Sequence, residues 1–228
     1  MKRITESKTS DFFVGQNEIL FTRSKDSVTE FFAFDNSWLV KQVDHNYFAL
    51  STVGENYEKI EEQLFSQVQN FKKTEGLNGE TFFCNYQMGT IHGFDKKGER
   101  ILEWKPNVGL GHAIYDIKFQ TPDYLWLAFP TGHTITQVSI SQRKEIFRIG
   151  NYTYNDITDP LNYPESIFIR DNFLPIPNMG NGELLEVNLV NKELSLKDTF
   201  ESPLWQYEET PIGTFTLTNT GIYLVEQP

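Results

Sequence analysis

At 228 residues, with 39% hydrophobic and 14% aromatic residues and a formal net charge of −11, the chain carries ample apolar surface for a buried core and an acidic balance that repels a phosphate backbone. Nucleic acid is excluded as an expected partner, and no apolar run approaches the roughly 18 residues of a membrane span, so no membrane partner is expected either. The expectation is a soluble cytoplasmic protein folded as a single domain over residues 1–228.

The start, Met1-Lys2-Arg3-Ile4, has the charge of a signal n-region with no apolar segment behind it. Weak strand signals follow: Ala33, Phe34 and Asp35 close a segment much as Gly93, Phe94 and Asp95 do later. Between 56 and 73 the pattern changes. Tyr57, Ile60, Leu64, Val68 and Phe71 fall at helical spacing, with Asn56 ahead of them, Glu58, Glu61 and Glu62 early, and Lys72 and Lys73 late. Local signals predict a short helix over 56–73, whereas the surrounding pattern asks for strands, and both readings stand.

Cys84 is the lone cysteine, which excludes an internal disulfide and a cysteine-rich metal site. In Thr81-Phe82-Phe83-Cys84-Asn85 it reads as a small core residue.

From here a repeat emerges. One copy runs Ala113 to Phe119, Tyr124 to Phe129, Thr134 to Ile140 and Glu145 to Ile149; a second runs Glu165 to Arg170, Phe173 to Ile176, Leu184 to Leu189 and Leu194 to Phe200. A partial third, Thr214 to Thr218 and Ile222 to Val225, lines up with the first two strands. Taking the third residue of each second strand as a marker, Phe83, Trp126, Leu174 and Tyr223 are separated by 43, 48 and 49 residues, and Leu20 and Phe48 extend the series with gaps of 28 and 35. Four short strands in about 40 to 50 residues is the period of a propeller blade. Hairpins at Met88-Gly89-Thr90, Thr131-Gly132-His133 and Met179-Gly180-Asn181-Gly182 supply the positive φ that such turns need. The sequence therefore predicts an all-β fold, a small β-propeller of about five blades, or six if some are short. Pairing the half-blade Thr214 to Val225 with strands from residues 10–35 would close the ring between N- and C-terminal strands and leave no bare edge.

The segment Gly111-His112-Ala113-Ile114-Tyr115-Asp116-Ile117-Lys118-Phe119 through Leu125-Trp126-Leu127 resembles a blade of the NHL, SMP-30 and virginiamycin-B-lyase-like propellers, and Tyr163-Pro164-Glu165-Ser166-Ile167 with Asn178-Met179-Gly180-Asn181-Gly182 is similar to the same group. The likeness covers roughly residues 80–225. It implies the architecture and a site around a central channel. The Trp-Asp ending of WD repeats and the Glu-Gly-Pro opening of SMP-30-type lactonases are absent, so no metal ligands carry over.

In the aligned innermost strands Tyr115 matches Glu165 and Asp116 matches Ser166, with Gly213 and Thr214 as the third copy. Asp116 and Glu165 are thus the acidic candidates for the channel, as ligands to a divalent cation or as an acid–base pair, and His112 is a candidate to join them. The plainer alternative for Asp116, Glu165 and His112 is a hydrogen-bond clamp between blades. Trp205, with Trp104, Tyr207, Tyr152 and Tyr154, is a candidate for an aromatic binding face. His45, His92 and His133 read as exposed turn residues. No nucleophile or phosphate-loop motif is present. The expected function is a binding module for a small molecule or a protein, the alternative a metal-dependent lyase or lactonase of the SMP-30 or virginiamycin-B-lyase-like type, and a third possibility glycoside chemistry.

Overall fold

A computed structural model of the chain describes residues 2–3, 11–14, 18–22, 29–33, 48–50, 57–59, 71–85, 89–107, 113–151, 159–210, 213–219 and 221–225. Among them there is no α-helix, only a turn of 3-10 helix at Pro130–Gly132, and no helix long and apolar enough to cross a membrane. The chain divides into two compact units, residues 70–207 and residues 1–69 together with 208–228.

The N-terminal strands are β1 (Lys2–Arg3), β2 (Asp11–Val14), β3 (Glu18–Thr22), β4 (Thr29–Ala33), β5 (Phe48–Leu50) and β6 (Tyr57–Lys59). β2, β3 and β4 form one antiparallel sheet, and β5 pairs with β6. The helix read over 56–73 is therefore corrected at both ends: Tyr57–Lys59 is β6, and Phe71–Glu75 is the next strand, β7. Residues 60–70 lie outside the described residues. Tyr57 and Phe71 carry rings that pack as readily on a pleated surface as on a helix, so sheet pairing overrides the local spacing.

Three sheets make up residues 70–207. The first comprises β7, β8 (Thr81–Asn85), β9 (Ile91–Phe94) and β10 (Arg100–Trp104); the second β11 (Asp116–Phe119), β12 (Tyr124–Phe129), β13 (Thr134–Ser139) and β14 (Lys144–Ile149); the third β15 (Phe173–Asn178), β16 (Glu183–Asn188) and β17 (Leu194–Thr199). Each is an antiparallel meander. β12 and β13 are buried along almost their whole length, because both faces of their sheet are covered. Leu125, Leu127, Phe129 and Val138 join Phe82, Cys84, Ile91 and Leu102 of the first sheet in one core, while Trp126, Ala128 and Ile135 join Leu174, Ile176 and Val187 of the third in another. The pleat sends alternate residues of β12 to opposite neighbours. Such stacking of sheets face to face is how blades share cores.

The second repeat differs from expectation in its first strand. Glu165–Arg170 makes isolated bridges, Pro164 with Asn178 and Arg170 with Phe173, and not a regular strand. Phe168 donates its amide to the Pro175 carbonyl at 3.1 Å. The return bonds from positions 175 and 177 are missing because both are proline, which has no N–H. The intervening residues still pair fully with β16.

The last sheet runs β18 (Leu204–Thr210), β19 (Gly213–Thr218), β20 (Gly221–Val225) and then β1. Lys2 and Arg3 face Leu224 and Tyr223, so the two chain ends share a sheet. Strands from residues 10–35 were expected to make this pairing; the described ones, β2, β3 and β4, form a separate sheet. The first strand here is β18 and not Thr214 to Thr218, which shifts the repeat by one strand. Its buried Gln206 and Glu208, at 2% and 8% exposure, hide it from an apolar pattern. Six sheets, of two to four strands each, are present among the described residues.

Candidate functional site

β11 opens on Asp116, whose side chain is 1% exposed. One carboxylate oxygen accepts the amide of Ile117 at 2.8 Å, and the other accepts the amide of Ile167 in the next repeat at 2.9 Å. The Lys118 ammonium stands 3.9 Å away. At the aligned position Ser166 donates its hydroxyl to the Trp205 carbonyl at 3.0 Å. Both residues tie the first segment of one repeat to the first segment of the next. The alignment of Asp116 with Ser166 therefore holds, but the third member is the start of β18 and not Gly213 and Thr214.

That clamp sets neighbouring first segments side by side, which brings Tyr115 near Glu165. Both are half-buried. The Tyr115 hydroxyl is held above the usual tyrosine range, first by burial, then by the Glu165 carboxylate and by Tyr163. Tyr163 is 37% exposed and lies with its ring centroid 4.8 Å from that of His133. Both residues have left-handed backbones, at φ 55 and φ 50, conformations that ring-bearing residues rarely adopt. In the Thr131-Gly132-His133 turn it is thus His133, and not Gly132, that carries the positive φ. Gly89 and Gly182 do carry it in the other two hairpins.

Among the sequence-predicted residues, Asp116 meets the backbone at Ile167, Glu165 lies by Tyr115, and Trp205 is half-buried with its carbonyl on Ser166. His112, His45, Tyr152 and Tyr154 lie outside the described residues. Trp104 and Tyr207 are core residues at 9% and 6% exposure. His92 is not an exposed turn residue: it lies within β9, half-buried, and burial holds its imidazole below the usual range against the opposing pull of Glu103. His133 is likewise half-buried, with Nδ1 3.3 Å from the Leu161 carbonyl.

Tyr115 and Tyr163 escaped notice as site residues. The one available signal was the register of Tyr115 with Glu165. Among the described residues no set of three or more His, Cys, Asp or Glu side chains is gathered so as to hold a metal ion. Each Asp116 oxygen accepts one backbone amide.

No family model matches the sequence, and none of the curated proteins matches it. Solved structures do. The chain is similar to virginiamycin B lyase from Staphylococcus aureus, at 14% identity and a TM-score of 0.51 over 98% of this chain and 72% of that one. A streptogramin B lyase is similar at 13% identity and a TM-score of 0.56, covering 96% and 94% of the two chains. Glutaminyl cyclase from Myxococcus xanthus is similar at 7% identity and a TM-score of 0.54, covering 98% and 91%. At these identities the likeness is one of fold: the chain has the β-propeller fold of the lyases that its blades resemble. Lyase and cyclase on one scaffold illustrate why the fold leaves the activity open.

Proposed function

We propose that the chain is a ligand-binding β-propeller whose site is the edge of the first segments bearing Tyr115, Tyr163, Glu165 and Trp205. The observation that carries this reading is the commitment of Asp116: the carboxylate best placed for acid–base or metal work accepts two backbone amides and joins repeats. What remains at that edge is a carboxylate among half-exposed aromatic rings, a surface suited to holding a small molecule. The other reading, a metal-dependent lyase or lactonase using Asp116, Glu165 and His112 around a cation, draws on the fold likeness to virginiamycin B lyase.

The test is metal analysis of the purified chain, a small-molecule panel read by thermal shift, and turnover of a lactone and ester panel. A ligand that binds only the folded state raises Tm with the logarithm of one plus its concentration over Kd. The expected result is a ligand-dependent rise that Tyr163→Ala abolishes, with no turnover. Stoichiometric metal and turnover lost on chelation would replace this reading with the enzymatic one.

A further inference from the structure

In two consecutive repeats the turn between the third and fourth strands carries a basic residue with a left-handed backbone. Arg143, between β13 and β14, has φ 54 and sets its guanidinium 5.2 Å from the ring centroid of Trp104 on β10. Lys192, between β16 and β17, has φ 63 and sets its ammonium 5.1 Å from the Trp126 ring on β12 and 5.5 Å from the Phe147 ring on β14. Each cation thus reaches across a seam onto the preceding sheet, within the distance at which ring faces attract a positive charge. In the first sheet Gly98 takes the left-handed position of that turn, at φ 82, and offers no side chain.

The two cations are held differently. Arg143 is exposed, whereas Lys192 is half-buried and its ammonium also donates to Gln137 Oε1 at 3.4 Å. Gln137, 4% exposed, donates to Gln120 Oε1 at 2.6 Å, and the same oxygen accepts the indole N–H of the buried Trp126 at 2.9 Å. Lys192 therefore touches the Trp126 ring directly and its N–H partner through one side chain. Among the described residues no carboxylate pairs with Lys192, whereas Lys118 meets Asp116 and Lys197 meets Glu186. Burial holds the Lys192 ammonium below the usual lysine range. A larger share of this amine is therefore unprotonated and nucleophilic than at an exposed lysine.

We infer that Lys192 is an acylation-sensitive latch on the seam between the second and third sheets, with an acyl thioester as the co-reactant. The ammonium gives one proton to water, and the freed amine attacks the thioester carbonyl carbon. The C–N bond forms as the C–S bond breaks, and the nitrogen's second proton leaves with the thiol. The product is a neutral amide, which the negative faces of Trp126 and Phe147 no longer hold. Arg143 stays protonated and does not react, so the seam between the first and second sheets remains latched. One modification therefore loosens one seam.

The experiment treats the full chain with acetyl coenzyme A and reads occupancy at each lysine by mass spectrometry. Hydrogen exchange of the Trp126 and Trp104 indole N–H groups, followed by NMR, reports on the two seams. Lys192 is expected to acetylate at least as fast as the exposed Lys97. Trp126 indole exchange is expected to quicken about tenfold in the acetylated chain and in Lys192→Gln, the factor for a cation over aromatic rings. In Lys192→Arg, treated or untreated, it keeps the wild-type rate, which assigns the change to this one lysine. Trp104 exchange is unchanged in all of these and quickens only in Arg143→Gln. A Lys192 left unmodified while Lys97 is acetylated overturns the inference. So does wild-type Trp126 exchange in Lys192→Gln. Equal quickening in Lys192→Arg overturns it as well, because side-chain shape and not charge would then hold the seam.

Discussion

The carboxylate of Asp116 accepts the backbone amide of Ile167, 51 residues further along the chain, at 2.9 Å. Its other oxygen takes the amide of Ile117 at 2.8 Å. One side chain therefore closes two buried donors and fixes how two repeats meet. Removing it leaves both amides without their charged acceptor, and a hydrogen bond to a charged group contributes about 1.5–3 kcal/mol. Asp116→Ala is expected to lower unfolding free energy by about 3 kcal/mol, and Asp116→Asn by less because the amide retains one acceptor. Urea midpoints at constant m check this. An Asp116→Ala variant as stable as wild type would remove the clamp from the account.

The neighbourhood of Tyr115 makes a pH prediction. Burial first, then Glu165 and Tyr163, push its hydroxyl above the ordinary tyrosine value. A group whose folded value is raised contributes stability that is fully present below the unfolded value, about 10 for tyrosine. That contribution is lost as pH rises through the folded value. Tyrosinate absorbance should therefore show a late-titrating tyrosine that disappears in Tyr115→Phe. Glu165→Gln should bring its ionisation to lower pH, because the neighbouring anion is gone.

Gly150 lies at φ 79, and a Cβ there would come within 2.1 Å of the His133 carbonyl oxygen. Gly150→Ala combines a left-handed backbone with a collision against fixed main chain. A loss of at least about 1–2 kcal/mol is expected, measured by thermal unfolding. Because the collision falls on His133, the ring contact with Tyr163 should loosen as well, visible as altered histidine resonances.

Replacing Pro175 by valine restores an N–H that faces the Phe168 carbonyl. The amide at position 175 is expected to be protected from hydrogen exchange, as a ladder donor is. An amide that exchanges as fast as those of exposed loops would mean that the first segment of this repeat is irregular for a reason other than proline.

The repeat was legible because its strands obey one simple rule: central strands covered on both faces need apolar residues throughout, and β12 with Tyr124-Leu125-Trp126-Leu127-Ala128-Phe129 meets it. Where that rule relaxes, the reading slipped. β18 buries Gln206 and Glu208, and β1 is only Lys2 and Arg3, so neither advertises itself as a strand. At the site the sequence singled out Asp116 and Glu165 by register, yet register is silent on which carboxylate meets an amide and which meets a tyrosine. Spacing along the chain sets periodicity and hence fold, and for this protein that much was settled by sequence alone. The surroundings of Asp116, Glu165, Tyr115 and Tyr163 depend on groups some 50 residues apart, brought together only when the sheets stack, so only the tertiary structure shows them.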